Sequence, residues 1–527
     1  MRAGYARIAG RAVDASCRAK RIGIGTPMEG EEWSLGPWPV LRQLRLIIEA
    51  LTLLRRRREA PIGEAGRTID GRLSLEIFPG SPLDSVLLAG LRAEVHVRAG
   101  ISEREMRSSS ARFYRQSSPA GQVDLILGGG TVAAIPCQDV LTKMFNEGAV
   151  CLLKLHPLNA YLGPLLEEAF ADAIARDFLR IVYGGAEEGG YLAEHPGIDN
   201  IHLTGSAATH ERLLWGRDAG PRPEYSGHLH PYLSKQITAG LGNVSPVLIV
   251  PGPYLDRQLA FQAEAVAGAF AHNAAYSCCT PRLLVSPRGW AQRGTFLRYL
   301  EAALSRVPRR FAFYPGATER WEELIRDRPN VRVSGPPTAG VLPWTLVPGL
   351  DPSDRRDPLF ATESFCPILG ETEVGSTDPL EYLQQAVGFV NERVWGNLSA
   401  AMIVHPKILG DRHLGPAVER AITQLRYGTV GVNTWPGLGF SLGVVPWGAH
   451  PSSSLRDIQS GRGWVHNTAM LEEVEKTVLR HPITTQLKPG YTAAHRTAHL
   501  LFRRLAAVER GQGWTGLPGV LDAARRA

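Results

Sequence analysis

Apolar and polar positions in this 527-residue chain fall into two alternating patterns. Short continuous apolar runs read as buried strands, and segments with apolar residues every three or four positions read as helices. From residue 123 the two kinds take turns. "VDLILGG" (123–129) reads as a strand and "DVLTKMFNEG" (139–148) as a helix stopped by Gly148. "AVCLLKL" (149–155), "FLRIVYGG" (178–185) and "IDNIHLTGS" (198–206) read as strands, with an amphipathic helix at 163–177. A second series follows, with strands at 245–251, 282–286 and 400–406 and helices at 259–272, 295–307 and 379–391. The Pro-rich stretch 335–358 reads as loop. Strands and helices in this order predict two α/β units with parallel, doubly wound sheets. Such sheets bind ligands at the carboxyl ends of their strands.

Composition narrows the class without naming a function. The hydrophobic fraction is 44% and the charged fraction 21%, as in ordinary globular proteins. Six cysteines without regular spacing do not form a disulfide framework, so a reduced cytoplasmic protein is expected. No apolar run reaches the roughly 20 residues of a bilayer span. The net charge is +7, and its densest block, Arg55 to Arg58, follows a helix expected at 41–54. Cations there favour the helix dipole, and no aromatic-interleaved basic surface accompanies them, so no nucleic-acid partner is expected. The 15 histidines show no metal-ligand spacing. The Asn-X-Ser triplets at Asn243 and Asn397 carry no meaning in such a compartment.

Candidate chemistry centres on "HNAAYSCCTPRLLV" (272–285). Cys278 lies in a loop between a helix and a buried strand, where a thiol gains the partial exposure a nucleophile needs. Cys279 reads as a small packing residue, and His272 as pointing away from the thiol. Local features alone favour the reading of Cys278 as an inert buried cysteine. "LTGS" (203–206) ends a strand and opens a helix, where Ser206 either caps the helix or offers its N–H groups to a phosphate. His202, within that strand, reads as a core or edge residue.

The order of several motifs resembles the aldehyde dehydrogenase superfamily. They are Lys154 in "LLKLHP", "YGGAEEGG" (183–190), "LTGS", "LGNVSP" (241–246), "NAAYSC" (273–278), "ESFCP" (363–367), "VNTWPG" (432–437) and "PWGAHP" (446–451). The match runs from about Leu125 to Gly448, and its wording points to a divergent branch. The resemblance implies a Rossmann-type cofactor domain interlocked with a second α/β catalytic domain. It divides the chain into a flexible leader (1–30), a cofactor domain (31–242), a catalytic domain (243–448) and a C-terminal segment (449–527). That last segment returns to the cofactor domain or forms an oligomer contact, and a homodimer is expected.

By the same resemblance Cys278 is the nucleophile, acting on an aldehyde or an acyl thioester, with Thr131 and Asn273 as further catalytic residues. Lys154, Gly185, Gly189, Thr204, Gly205, Ser206, Glu363 and Phe365 hold NAD or NADP, and no metal is expected. Thr131 stands where the family has an oxyanion-binding Asn. Gly240 stands where hydrolytic members have a general-base Glu. The missing base leaves three readings open: hydrolysis through another group, transfer of the acyl group to an acceptor such as coenzyme A, or a nucleotide-binding pseudoenzyme. Pro157 replaces an acidic residue that repels the 2′-phosphate, so NADP is expected to be tolerated or preferred.

Overall fold

A computed structural model describes residues 1–57, 60–216, 231–492 and 495–527. Two sheets organise it. The smaller has six strands, in the order Gly461–Arg462, Gln236–Gly240, Asn200–Thr204, Val123–Leu127, Val150–Lys154, Leu179–Val182. All neighbours run parallel except Gly461–Arg462, which pairs antiparallel with Gln236–Gly240. Val123–Leu127, Val150–Lys154, Leu179–Val182 and Asn200–Thr204 follow the predicted series, while Gln236–Gly240 and Gly461–Arg462 are additions to it.

The larger sheet has eleven strands. Pro246–Ile249, Leu283–Pro287, Ile368–Val374, Trp344–Leu350, Ser399–Ile403, Thr429–Val432 and Val474–Arg480 form its parallel middle. Glu64–Arg67, Leu73–Phe78 and Arg92–Val97 extend one edge as an antiparallel meander. Arg332–Ser334 closes the other edge, antiparallel to Trp344–Leu350.

Three expectations need correction here. Residues 335–358 contain the strand Trp344–Leu350, buried beside Ile368–Val374, rather than loop alone. The register shifts between Val347 and Leu350, so Pro348 sits at an irregularity where no ladder donor is required. The helix expected at 163–177 is two pieces, Gly163–Ala169 and Ala171–Ala175, broken at Phe170. Residues 1–30 are not a flexible leader. Arg2–Ala19 forms a helix whose Tyr5, Ile8, Ala9, Ala12 and Val13 join the core over the small sheet. The apolar stripe was present, but the many arginines on the opposite face concealed it.

Pro37–Arg57 follows as a 21-residue helix that takes in Arg55 to Arg57, while Arg58 lies outside the described residues. The C-terminal segment contributes to both sheets, through Gly461–Arg462 and Val474–Arg480. Its helix Ala498–Ala507 packs on Glu29–Ser34 and Pro37–Arg57. Among the described residues no helix is long and apolar enough to cross a membrane. Asn243 is fully buried and Asn397 nearly so.

Candidate active site

The carboxyl ends of Val123–Leu127, Val150–Lys154 and Asn200–Thr204 open into a cleft of about 1470 Å³ between the two sheets. This is where a doubly wound sheet presents free N–H groups and loop residues to a ligand. On the small-sheet side the cleft is lined by Lys154, Gly185, Gly189, Thr204, Gly205 and Ser206, and on the other by Cys278, Glu363 and Phe365. Thr131 lies on the wall as well. The structure therefore brings together every candidate residue except Asn273.

Lys154 ends its strand buried, and desolvation lowers its ammonium below the usual lysine range, with Glu188 opposing the shift. Gly185 caps the helix Ala186–Glu194, and its N–H donates to Glu188 Oε2 at 2.7 Å. Ser206 caps Ala207–Trp215, its Oγ accepting from the Thr209 N–H at 3.1 Å, and still lines the cleft. Capping and cleft lining are thus compatible at Ser206. Gly130 lies so close to His156 that an added Cβ would stand 2.5 Å from Nδ1. The loop at 128–131 thus passes against a ring, and only glycine fits.

Cys278 follows the helix Asp256–Ala271 through a tight 3-10 turn. Asn273, Ala274 and Ala275 all have left-handed backbones, with φ of 55°, 54° and 65°. Residues bearing a Cβ adopt this conformation at about 1–2 kcal/mol each, so surrounding contacts must hold the turn. Asn273 is the centre of those contacts. Its N–H donates to Glu31 Oε2 at 3.0 Å, and its Oδ1 accepts from Lys20 Nζ at 3.0 Å. Its Nδ2 donates to the Thr131 and Tyr276 carbonyls, both at 3.2 Å. Lys20 Nζ also reaches both Glu32 oxygens at 2.9 Å, and Glu31 Oε2 takes Arg310 at 2.5 Å. Asn273 is completely buried beneath the loop, so its expected place among the catalytic residues is corrected. It positions the Cys278 and Thr131 loops relative to each other. Lys20 and Glu31, with Glu32 behind Lys20, were missed because nothing in their local sequence marks contacts to Asn273 some 250 positions away.

The Cys278 thiol is half-buried and opens on the cleft. Its hydrogen bond with Cys279, burial and the nearby Glu363 charge all push its pKa well above the usual thiol value. A lowered pKa, expected for a nucleophile, is therefore absent from the protein alone. Cys279 is buried and packs with Trp435 and Trp447, as expected, and its carbonyl accepts from Trp435 Nε1 at 2.9 Å. His272 departs from expectation by lining the cleft. It contacts Ser34 Oγ at 3.2 Å and Trp435 at 5.1 Å between ring centroids, and burial pushes it down to about 4. It is a neutral wall residue, not a partner of the thiol. Cys366 is fully buried in the core of the large sheet.

Glu363 lies against Gly242, where an added Cβ would stand 2.0 Å from Glu363 Oε2. Burial raises its carboxyl to about 7, although Arg282, 3.6 Å away, and the Asn243 N–H oppose the shift. Phe365 has a left-handed backbone (φ 44°) and packs on Tyr314 at 4.7 Å. On the far side of Cys278 the cleft is walled by Trp38, Trp435, Phe440, Trp447, Tyr491 and Phe502. No group of three or more potential metal ligands occurs among the described residues.

Sequence comparison matches residues 91–308 to the Aldehyde dehydrogenase family. A curated relative, aldehyde dehydrogenase LUC3 of a Fusarium species, is 27% identical over 158 residues. That match spans 29% of this chain and 31% of the relative's length. Among solved structures, Staphylococcus aureus AldH in a substrate-bound state aligns over 93% of this chain and 90% of its own, with a TM-score of 0.59 and 14% identity. Salicylaldehyde dehydrogenase from Pseudomonas putida G7, complexed with salicylaldehyde, aligns over 92% of both chains at 0.54 and 16%. NADP-dependent glyceraldehyde-3-phosphate dehydrogenase from Bacillus halodurans, complexed with NADP, covers 91% of this chain and 92% of its own at 0.51 and 16%. The family match thus covers residues 91–308, and the two-sheet fold is the one these solved structures share.

Proposed function

We propose that this protein is an NAD(P)-dependent oxidoreductase that acts on an aldehyde or an acyl thioester through Cys278. The observation that carries the reading is the cleft itself. A half-exposed thiol shares it with a buried lysine, a glycine-lined helix start and a buried carboxylate. The chain's residues fit a dinucleotide. Lys154 ends the strand on one side of Val123–Leu127, Ser206 follows the strand on its other side, and the helix starts at Gly185 and Ser206 face an anion-accepting space. When bound, the nicotinamide supplies hydride chemistry.

The chain supplies the rest. Cys278 attacks the carbonyl carbon and forms a thiohemiacetal, which becomes a thioester on oxidation. Thr131 and the loop beginning at Gly128 supply hydrogen-bond donors toward the oxyanion. Lys154 binds the adenosine ribose and Glu363 the nicotinamide ribose, with Phe365 packing beside it. Pro157 leaves no repelling carboxylate at the 2′ position, which favours tolerance of NADP. The aromatic wall around Trp435 and Trp447 favours an apolar or aromatic aldehyde, because rings make up that part of the lining.

A panel of aromatic and straight-chain aldehydes with NAD and NADP, followed at 340 nm, tests this reading. Turnover that vanishes in Cys278→Ala supports it, and turnover that survives refutes it. The absent carboxylate at Gly240 favours a second reading, reduction of an acyl-CoA thioester. Oxidation of NADPH on adding acyl-CoA would support that direction.

A further inference from the structure

Behind Gly240 lies a buried cluster that the reaction above does not use. Asn200–Thr204 and Gln236–Gly240 run parallel, with His202 opposite Thr238 and Thr204 opposite Gly240. The helix Ile135–Asn146 brings Asp139 over the same place. Thr204 Oγ1 donates to Asp139 Oδ2 at 2.8 Å, and His202 Nε2 stands 3.5 Å from that oxygen. His202 Nδ1 lies 2.9 Å from Thr238 Oγ1, which fixes the ring. Asp139 and His202 are 2% and 3% exposed, yet both line the cleft that holds Cys278. His466, fully buried, has neither ring nitrogen paired, and Asp139 and His202 both act on it electrostatically.

A carboxylate so buried is stabilised only where it is paired or put to use. A Cβ added at Gly240 would meet Thr204 Oγ1 at 4.0 Å and nothing nearer. Thr204 Oγ1 is therefore the nearest group to the space that a side chain at position 240 would fill, and Asp139 is reached from there through the 2.8 Å bond that Thr204 donates.

We propose that Asp139, oriented by Thr204 and His202, is the general base that delivers water to the acyl group on Cys278. This rests on the reading of Cys278 as nucleophile and deepens it by naming water as the acyl acceptor. The water oxygen bonds to the acyl carbon while its proton passes to Asp139. The C–S bond breaks, the carboxylic acid leaves, and the proton returns to the Cys278 sulfur. No oxidant or reductant enters this half-reaction.

An activated ester tests the step without any dinucleotide. p-Nitrophenyl acetate acylates a thiol with release of nitrophenolate, and continued release requires hydrolysis of the acyl-enzyme. Asp139→Asn is expected to slow steady release by roughly 10²-fold or more, while mass spectrometry finds the acetyl adduct accumulating on Cys278. Gly240→Glu added to Asp139→Asn is expected to restore at least about tenfold of the loss, which a merely misfolded variant would not show. The proposal is overturned if Asp139→Asn turns over like the wild type, slows without an adduct, or is matched by adduct accumulation in Glu363→Gln instead. Unchanged turnover in Cys278→Ser would refute the nucleophile itself, a distinct failure.

Discussion

Lys20 offers a sharp test of how the loop that carries Cys278 is held. Its ammonium is 3% exposed and its partner carboxylate on Glu32 is fully buried. Lys20→Met removes the cation and leaves that carboxylate uncompensated, a change that costs about 3–5 kcal/mol in comparable buried pairs. The same substitution frees Asn273 Oδ1, which accepts from Lys20 at 3.0 Å. Three consecutive left-handed residues then lose one of their restraints. At about 2.1 cal/mol/K per residue, unfolding a chain of this length carries an entropy of about 1.1 kcal/mol/K, so the expected fall in Tm is about 3–5 °C. Calorimetry reads that fall, and iodoacetamide labelling of Cys278 reads the loop. Labelling kinetics should change several-fold in Lys20→Met while Lys20→Arg stays closer to the wild type. Lys20→Met combined with Glu32→Gln should recover part of the Tm, because no buried charge is then left alone. An unchanged Tm together with an unchanged labelling rate would refute the restraint of the Asn273–Ala275 turn by the N-terminal helix.

Other outcomes follow from the same geometry. Glu363 titrates near 7, above its unfolded value of about 4.3, because it is buried. Between those values the folded state keeps a proton that the unfolded chain has lost, so its contribution to stability falls as pH rises through that window and levels off above it. Glu363→Gln should therefore flatten the decline in Tm between pH 5 and pH 7.5. The same variant removes a negative charge that raises the Cys278 pKa, so alkylation at pH 8 should quicken relative to the wild type. Gly242→Ala would place a methyl 2.0 Å from Glu363 Oε2 and displace that carboxylate, and a rise in the apparent KM for the dinucleotide is expected in steady-state assays. Pro157→Glu should shift the NADP to NAD ratio of kcat/KM toward NAD by about tenfold or more, the scale of one 1.4 kcal/mol repulsion.

The local sequence was enough to show the alternation of strand and helix, because buried parallel strands are continuous apolar runs wherever they lie. It also carried the motif order that set Cys278, Lys154, Ser206 and Glu363 on one list of candidates, since each sits beside a recognisable strand end or turn. The Pro348 strand escaped notice because a proline argues against a ladder, and only the neighbouring strand shows the register shift that accommodates it.

What the tertiary structure decided is which side chains meet. Periodicity at residues 2–19 allows a helix but cannot say that its end bonds Asn273. His202 in an apolar strand looks like any core histidine until Asp139 arrives from a helix more than sixty positions earlier. Apolar burial is encoded residue by residue, so patterning reveals it. Pairing of buried polar groups depends on distances between elements, and those are fixed only when the sheets close.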